Sequence, residues 1–172
     1  MALDTTIGGT AADSYGELAA LDTYATSMGW TLTGIDAVKE ANMRRATAFL
    51  DRQYEWVGYR VDTDQALAWP RSDGGYDSDG WAIPFEAIPQ KIINAQFELA
   101  YLENTGVDLL AYSAGAAIKR EKVKAGPVEA ETEYVVGDEA ESRIIAIEGL
   151  LRDYITTGQQ GETSGMIPRY RG

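Results

Sequence analysis

The chain of 172 residues contains no cysteine and no histidine. Without cysteine there is no disulfide framework and no thiolate nucleophile. Without histidine the chain loses the commonest general base, the commonest metal ligand and every Ser-His or Cys-His arrangement. Only carboxylates, lysines and tyrosines remain for acid–base work, and no motif organises them. No catalytic residue, metal site or cofactor is expected. Basic residues are also scarce, 15 Lys and Arg against 27 Asp and Glu for a net charge of -12. That balance argues against non-specific wrapping of duplex DNA, whose affinity comes mainly from Lys and Arg neutralising phosphates. No run approaches the roughly 20 apolar residues needed to span a bilayer. Residues 1–10 lack the basic region and apolar run of a secretory signal. No membrane partner is expected, and the chain reads as made in the cytoplasm.

What is present is a hydrophobic share of 45%, enough for one domain with a substantial core. Residues 1–12 are rich in Gly and Thr and read as a loose N-terminus. Asp13 and Ser14 are candidate helix caps, with Glu17 completing a capping-box pattern. Leu18, Leu21, Tyr24, Ala25 and Met28 then follow at helical spacing up to Gly29. Thr33 is a candidate cap for a second helix running to about Tyr54, with Ile35, Val38, Ala46, Phe49 and Leu50 on one face. The Arg44-Arg45 pair and Arg52 on that helix invite a nucleic-acid reading, but Arg44, Arg52 and Asp51 are read instead as solvated surface residues that pair with one another.

Between Glu55 and Pro84 the helical period disappears. Trp56–Val61 and Leu67–Trp69 read as short extended pieces, and Asp79-Gly80 is a hairpin signal. Asp77, Asp79, Gly80 and Glu86 half-match a calcium loop, but Gly75 falls at its first ligand position and Pro84 interrupts it, so a turn is expected. Trp69, Pro70, Arg71, Trp81, Pro84 and Pro89 together predict a rigid apolar packing junction, since each proline restricts itself and the residue before it. A third helix opens near Pro89 and carries Ile92, Ile93, Gln96, Phe97, Leu99, Ala100, Tyr101 and Leu102. Asn104-Thr105-Gly106 stops it.

Two alternating arms near 117–136, joined by Gly126-Pro127, predict a β-hairpin. Lys119, Arg120, Lys122 and Lys124 against Glu121 make the first arm +3, and Glu129, Glu131 and Glu133 make the second -3. Such arms can pair with each other, meet a neighbouring copy and fix its register, or do both. A fourth helix is expected through Ile144, Ile145, Ile147, Leu150, Leu151 and Tyr154, weakened by Gly149 by about 1 kcal/mol. The segment 156–172 reads as a flexible arm. Its polar, Gly-rich linker ends in Met166, Ile167, Pro168, Arg169, Tyr170 and Arg171, a set suited to ordering on a partner. The fold class is therefore mainly α, a small bundle of about four helices over residues 13–155 with a β-hairpin, short extended segments and a C-terminal arm.

Arg44-Arg45-Ala46-Thr47 through Leu50-Asp51, Ala66-Leu67-Ala68-Trp69-Pro70-Arg71, Ile83-Pro84, Ile88-Pro89 and Lys119-Arg120-Glu121-Lys122-Val123 occur in that order. In this the chain resembles the tailed-phage head-to-tail adaptor proteins, the head-completion or connector family. Some members carry a DnaT-like single-stranded-DNA-binding label. The resemblance implies a virion protein, assembled in the host cytoplasm, that forms a twelve-fold ring under the portal protein. It implies an arm, here Met166–Arg171, reaching into the portal, and a platform for the next tail-side connector or tail terminator. Genomic DNA would pass without sequence-specific contact, along an acidic wall that repels phosphate. The alternative function is a single-stranded nucleic-acid-binding module, with Trp56, Tyr59, Trp69 or Trp81 as stacking platforms and Lys119–Lys124 as an electrostatic track.

Overall fold

The helix Gln90–Asn104 is the element on which the others pack. The computed structural model describes residues 2–110, 122–125, 128–131 and 138–156. Numbered in chain order, the helices are α1 (Leu18–Ser27), α2 (Asp36–Gln53), α3 (Gln90–Asn104) and α4 (Asp138–Leu151). α3 packs against the other three. It buries Ile92, Ala95, Phe97, Leu99, Ala100 and Leu102 against a continuous core that includes Leu21, Met43, Phe49, Leu50, Ile147 and Leu151. Each of the Ile, Leu, Met and Phe side chains contributes roughly 1.5–3 kcal/mol by leaving water. Two antiparallel pairs complete the elements, β1 (Tyr59–Arg60) with β2 (Arg71–Ser72) and β3 (Lys122–Ala125) with β4 (Val128–Glu131).

Several helix boundaries differ from those the sequence predicts, because polar residues near the ends bond to distant elements instead of capping. Ser14 donates to the Gly16 carbonyl at 2.7 Å and accepts from Gln96 on α3 at 2.7 Å. Asp13 receives Arg44 Nε at 2.5 Å. α1 therefore starts at Leu18, without a side-chain cap. Thr33 likewise bonds the Asn104 side chain at the end of α3, its amide donating at 2.8 Å. Gly34, at φ +90°, turns the chain so that α2 opens only at Asp36. Ile35 and Val38, expected on the buried face, are exposed, as is Ile145 on α4.

Residues 2–12, read as loose, are tied to the body. Asp4 O accepts the amides of Asp13 and Ser14, and Gly9 O accepts the amide of Ala66. Gln96 is fully buried, yet its side chain lies within hydrogen-bond reach of four groups. Its Oε1 accepts from Gly16 N at 2.9 Å, and its Nε2 faces Ser14 Oγ, Thr47 Oγ1 and Met43 O. A buried amide with partners on both its atoms fixes the register of the elements it joins. Here these are the N-terminal segment, α2 and α3.

Candidate functional site

The stretch from Tyr54 to Pro89 has a buried side and an exposed side. On the buried side Trp69 is 1% exposed and stands edge-on to Trp56 and Tyr154, with ring centroids 5.8 and 5.9 Å apart. Such edge-to-face pairs add to the area they bury. Arg71 closes this corner through backbone carbonyls. Its Nε donates to Val57 O at 2.7 Å, Nη2 to Gly58 O at 2.7 Å and Nη1 to Ala68 O at 3.2 Å. The planar fork supplies donors to three groups that no strand partner satisfies.

The same local hydrogen bonding explains why the expected strands are short. Gly58, at φ +66°, interrupts Trp56–Val61, so only Tyr59 and Arg60 pair with β2 while Trp56 bridges to Ile155. Leu67–Trp69 forms no strand, because Asp51 takes the Ala68 amide at 3.0 Å and Gln65 takes the Leu67 and Pro70 carbonyls. Asp51 also accepts the Tyr15 hydroxyl. Burial lifts the Asp51 carboxyl above the ordinary carboxylate range despite that bond. Burial, and then the adjacent Asp51 charge, push the Tyr15 phenol well above its ordinary value.

On the exposed side, residues 73–86 fold into a hairpin-like turn. Asp77 Oδ1 accepts the amides of Asp79 and Trp81 at 3.0 and 2.8 Å, and Asp77 N donates to Trp81 O at 2.8 Å. Gly80 takes φ +84°, as the Asp-Gly signal predicts. One oxygen of the half-matched calcium loop is thus occupied in building the turn. Ile83 anchors the turn to the core, and Trp81 and Tyr76 project from it at 75% and 74% exposure, with Phe85 at 56%. Tyr59 on β1 is 71% exposed. Ser78 fastens the turn to the far end of the bundle through Asp153 Oδ2 at 3.2 Å.

Acidic groups dominate the surroundings. Asp73, Asp77, Asp79 and Glu86 lie within 73–86, a stretch with no Lys or Arg. Nearby cations are engaged: Lys91 bonds Asp153 at 3.2 Å, and Arg152 reaches Ser78 Oγ at 3.2 Å. The hydrogen bond to Asp153 raises the Lys91 ammonium above its ordinary value. On α2, Arg44 pairs with Asp13, and Arg45 pairs with Glu103 at 2.8 Å and Asp108 at 2.6 Å. Lys39 pairs with Asp22. Among the described residues no group of three or more His, Cys, Asp or Glu is arranged to hold a metal, and no helix is long and apolar enough to cross a membrane.

The residues singled out from the sequence therefore separate. Trp69 and Pro70 are buried, Arg71 braces them, and Pro89 is the buried residue preceding α3. Trp81 and Pro84, grouped with that junction, are exposed. Of the four candidate stacking aromatics, Trp56 and Trp69 are core, and only Tyr59 and Trp81 face solvent. In the hairpin the register sets Lys122 opposite Glu131 and Lys124 opposite Glu129, which matches pairing between its own arms. Lys119, Arg120, Glu133 and Met166–Arg171 lie outside the described residues. Sequence reasoning missed Tyr76, whose signal was an aromatic placed in a Gly- and Asp-rich turn, and Phe85, whose signal was its place directly after Pro84.

A family model described as "Putative DnaT-like ssDNA binding protein" matches residues 1–172. The chain belongs to that family. No curated protein and no solved structure matches it. Within this DnaT-like chain, Arg44, Arg45, Thr47, Asp51, Trp69 and Arg71 all join one segment to another.

Proposed function

We propose that this DnaT-like chain is a structural interaction protein, a head-to-tail adaptor whose copies form a ring beneath a phage portal and present a platform for the next tail component. The observation that carries a protein-binding reading is the charge around the exposed aromatics. Tyr76, Trp81 and Phe85 stand among Asp73, Asp77, Asp79 and Glu86, and Lys39, Arg44, Arg45 and Lys91 are already paired with carboxylates. A strand of phosphates would meet repulsion there, whereas a basic protein surface would meet complementarity. The adaptor assignment itself rests on the order of the Arg-Arg, Ala-Trp-Pro-Arg and Ile-Pro motifs. In this reading Met166–Arg171 engages the portal, the charged hairpin lies between subunits, and the chain carries out no catalysis.

The second reading is single-stranded DNA binding. The family description favours it, and so does the exposure of Tyr59 and Trp81 as stacking surfaces. Two measurements separate the readings. Peptide mass spectrometry on purified particles is expected to find this chain and portal protein in a ratio near one, and absence from particles that contain portal would sink the adaptor reading. Titration with a single-stranded oligonucleotide is expected to leave tryptophan fluorescence unchanged at moderate salt. Tight quenching that weakens steeply as salt rises would install the second reading instead.

A further inference from the structure

Two stretches of the chain share the tripeptide Ser-Asp-Gly: Ser72-Asp73-Gly74 and Ser78-Asp79-Gly80. At an aspartyl-glycine bond a carboxyl group can react with its own backbone, because glycine carries no Cβ to shield its amide nitrogen. With the local sequence matched, the fold distinguishes the two. Both aspartates are exposed. In the second tripeptide the amides are engaged, Asp79 N donating to Asp77 Oδ1 and Gly80 N to Asp77 O, each at 3.0 Å. In the first, neither the Asp73 carboxylate nor the Gly74 amide has a hydrogen-bond partner among the described residues. Asp73 is also the one non-glycine residue at positive φ among the described residues, at +54°, so the reaction would start from a strained conformation.

We propose that Asp73-Gly74 is a self-modification site, at which the chain converts aspartate to isoaspartate. The Gly74 nitrogen attacks Asp73 Cγ, so that an N–C bond forms while a C–O bond breaks and water leaves. The succinimide so formed has lost the carboxylate charge. Water then opens the ring. Addition at Cγ restores aspartate, and addition at the backbone carbonyl leaves isoaspartate, with the main chain running through Cβ and Cγ. Water is the only co-reactant. The lengthened link falls at the base of the aromatic turn. A Cβ on Gly74 would lie 3.1 Å from Ile83 Cγ2, and Ile83 N donates to Gly75 O at 3.0 Å. The residue that anchors the turn thus rests against the altered link, and conversion loosens the presentation of Tyr76 and Trp81. The inference goes beyond the adaptor reading and does not rest on it.

The test is prolonged incubation of the full chain at neutral pH, then digestion and electron-transfer fragmentation, which tells isoaspartate from aspartate at each position. In the native chain isoaspartate is expected to accumulate roughly tenfold faster at Asp73 than at Asp79, the factor that a hydrogen bond on the attacking amide supplies. In denaturant the two rates should draw together, since the tripeptides are the same. Brief chymotrypsin treatment of the aged native chain should cut converted molecules first, so that isoaspartate is enriched among chains nicked at Tyr76 or Trp81. No isoaspartate at Asp73, equal rates at the two positions in the native chain, or a difference that persists in denaturant overturns the site. An equal share of isoaspartate in nicked and intact chains overturns the loosening of the turn.

Discussion

Gly58 shows how much of this fold depends on single positions. A Cβ there would lie 2.0 Å from the Ser72 carbonyl oxygen, and the residue already sits at φ +66°. Gly58→Ala should therefore cost about 3 kcal/mol or more, read as a lowered midpoint in denaturant. Tyr15 carries a pH dependence. Its native pKa is raised above the ordinary 10.0, so the native state keeps a proton that the unfolded chain gives up. The stability from the neutral phenol is complete below pH 10 and is lost as pH rises through the native pKa. Tyr15→Phe should lower stability at neutral pH by about 1–3 kcal/mol through loss of the donor to Asp51. It should also flatten the decline above pH 10, measured by denaturant titration across pH. Tyr24, whose phenol burial raises to about 12, keeps part of that slope.

At the scale of elements, the stretch from Trp56 to Pro84 combines a core corner with a solvent-facing turn, and equivalent truncations should separate the two. Trp69→Ala is expected to cost about 3–5 kcal/mol, whereas Trp81→Ala should change stability by about 0.5 kcal/mol or less. Thermal denaturation of both variants checks this contrast. The same division marks what could be read in advance. The helical face of α3 was legible because Ile92, Gln96, Leu99 and Leu102 recur at steps of four, three and three residues, the spacing of one helical face. Gly29 and Asp79-Gly80 were legible because glycine at positive φ leaves a local signature. The caps were not legible. Ser14, Thr33 and Asp13 have local partners available in the sequence, and which partner wins depends on Gln96, Asn104 and Arg44, which only the fold brings near. Nor does spacing reveal which tryptophans face outward, since Trp69 and Trp81 both lie beside turn residues.

At the scale of the molecule, the net charge of -12 is distributed with consequences for partners. Lys39, Arg44 and Arg45 on α2 and Lys91 on α3 act as ties between segments, and residues 73–86 themselves hold four carboxylates and no Lys or Arg. Repulsion among those carboxylates should make partner association salt-dependent in one direction. A basic partner should bind more weakly as salt rises, whereas an apolar one should be little affected, a difference readable by isothermal titration at two ionic strengths. The absence of cysteine and histidine was legible at this scale from composition alone. The position of the exposed aromatic turn was not, because it depends on how the chain between Tyr54 and Pro89 folds back on the core.

The short antiparallel contact that joins Trp56 to Ile155, flanked by Val57 N to Tyr154 O and Thr156 N to Glu55 O, has a mechanical meaning. Tension on the chain beyond Thr156 passes first into these few backbone bonds and the Tyr154 ring packed on Trp69. Pulling there would loosen the aromatic corner before it unwound a helix. The joint would act as a fuse between residue 156 and the bundle.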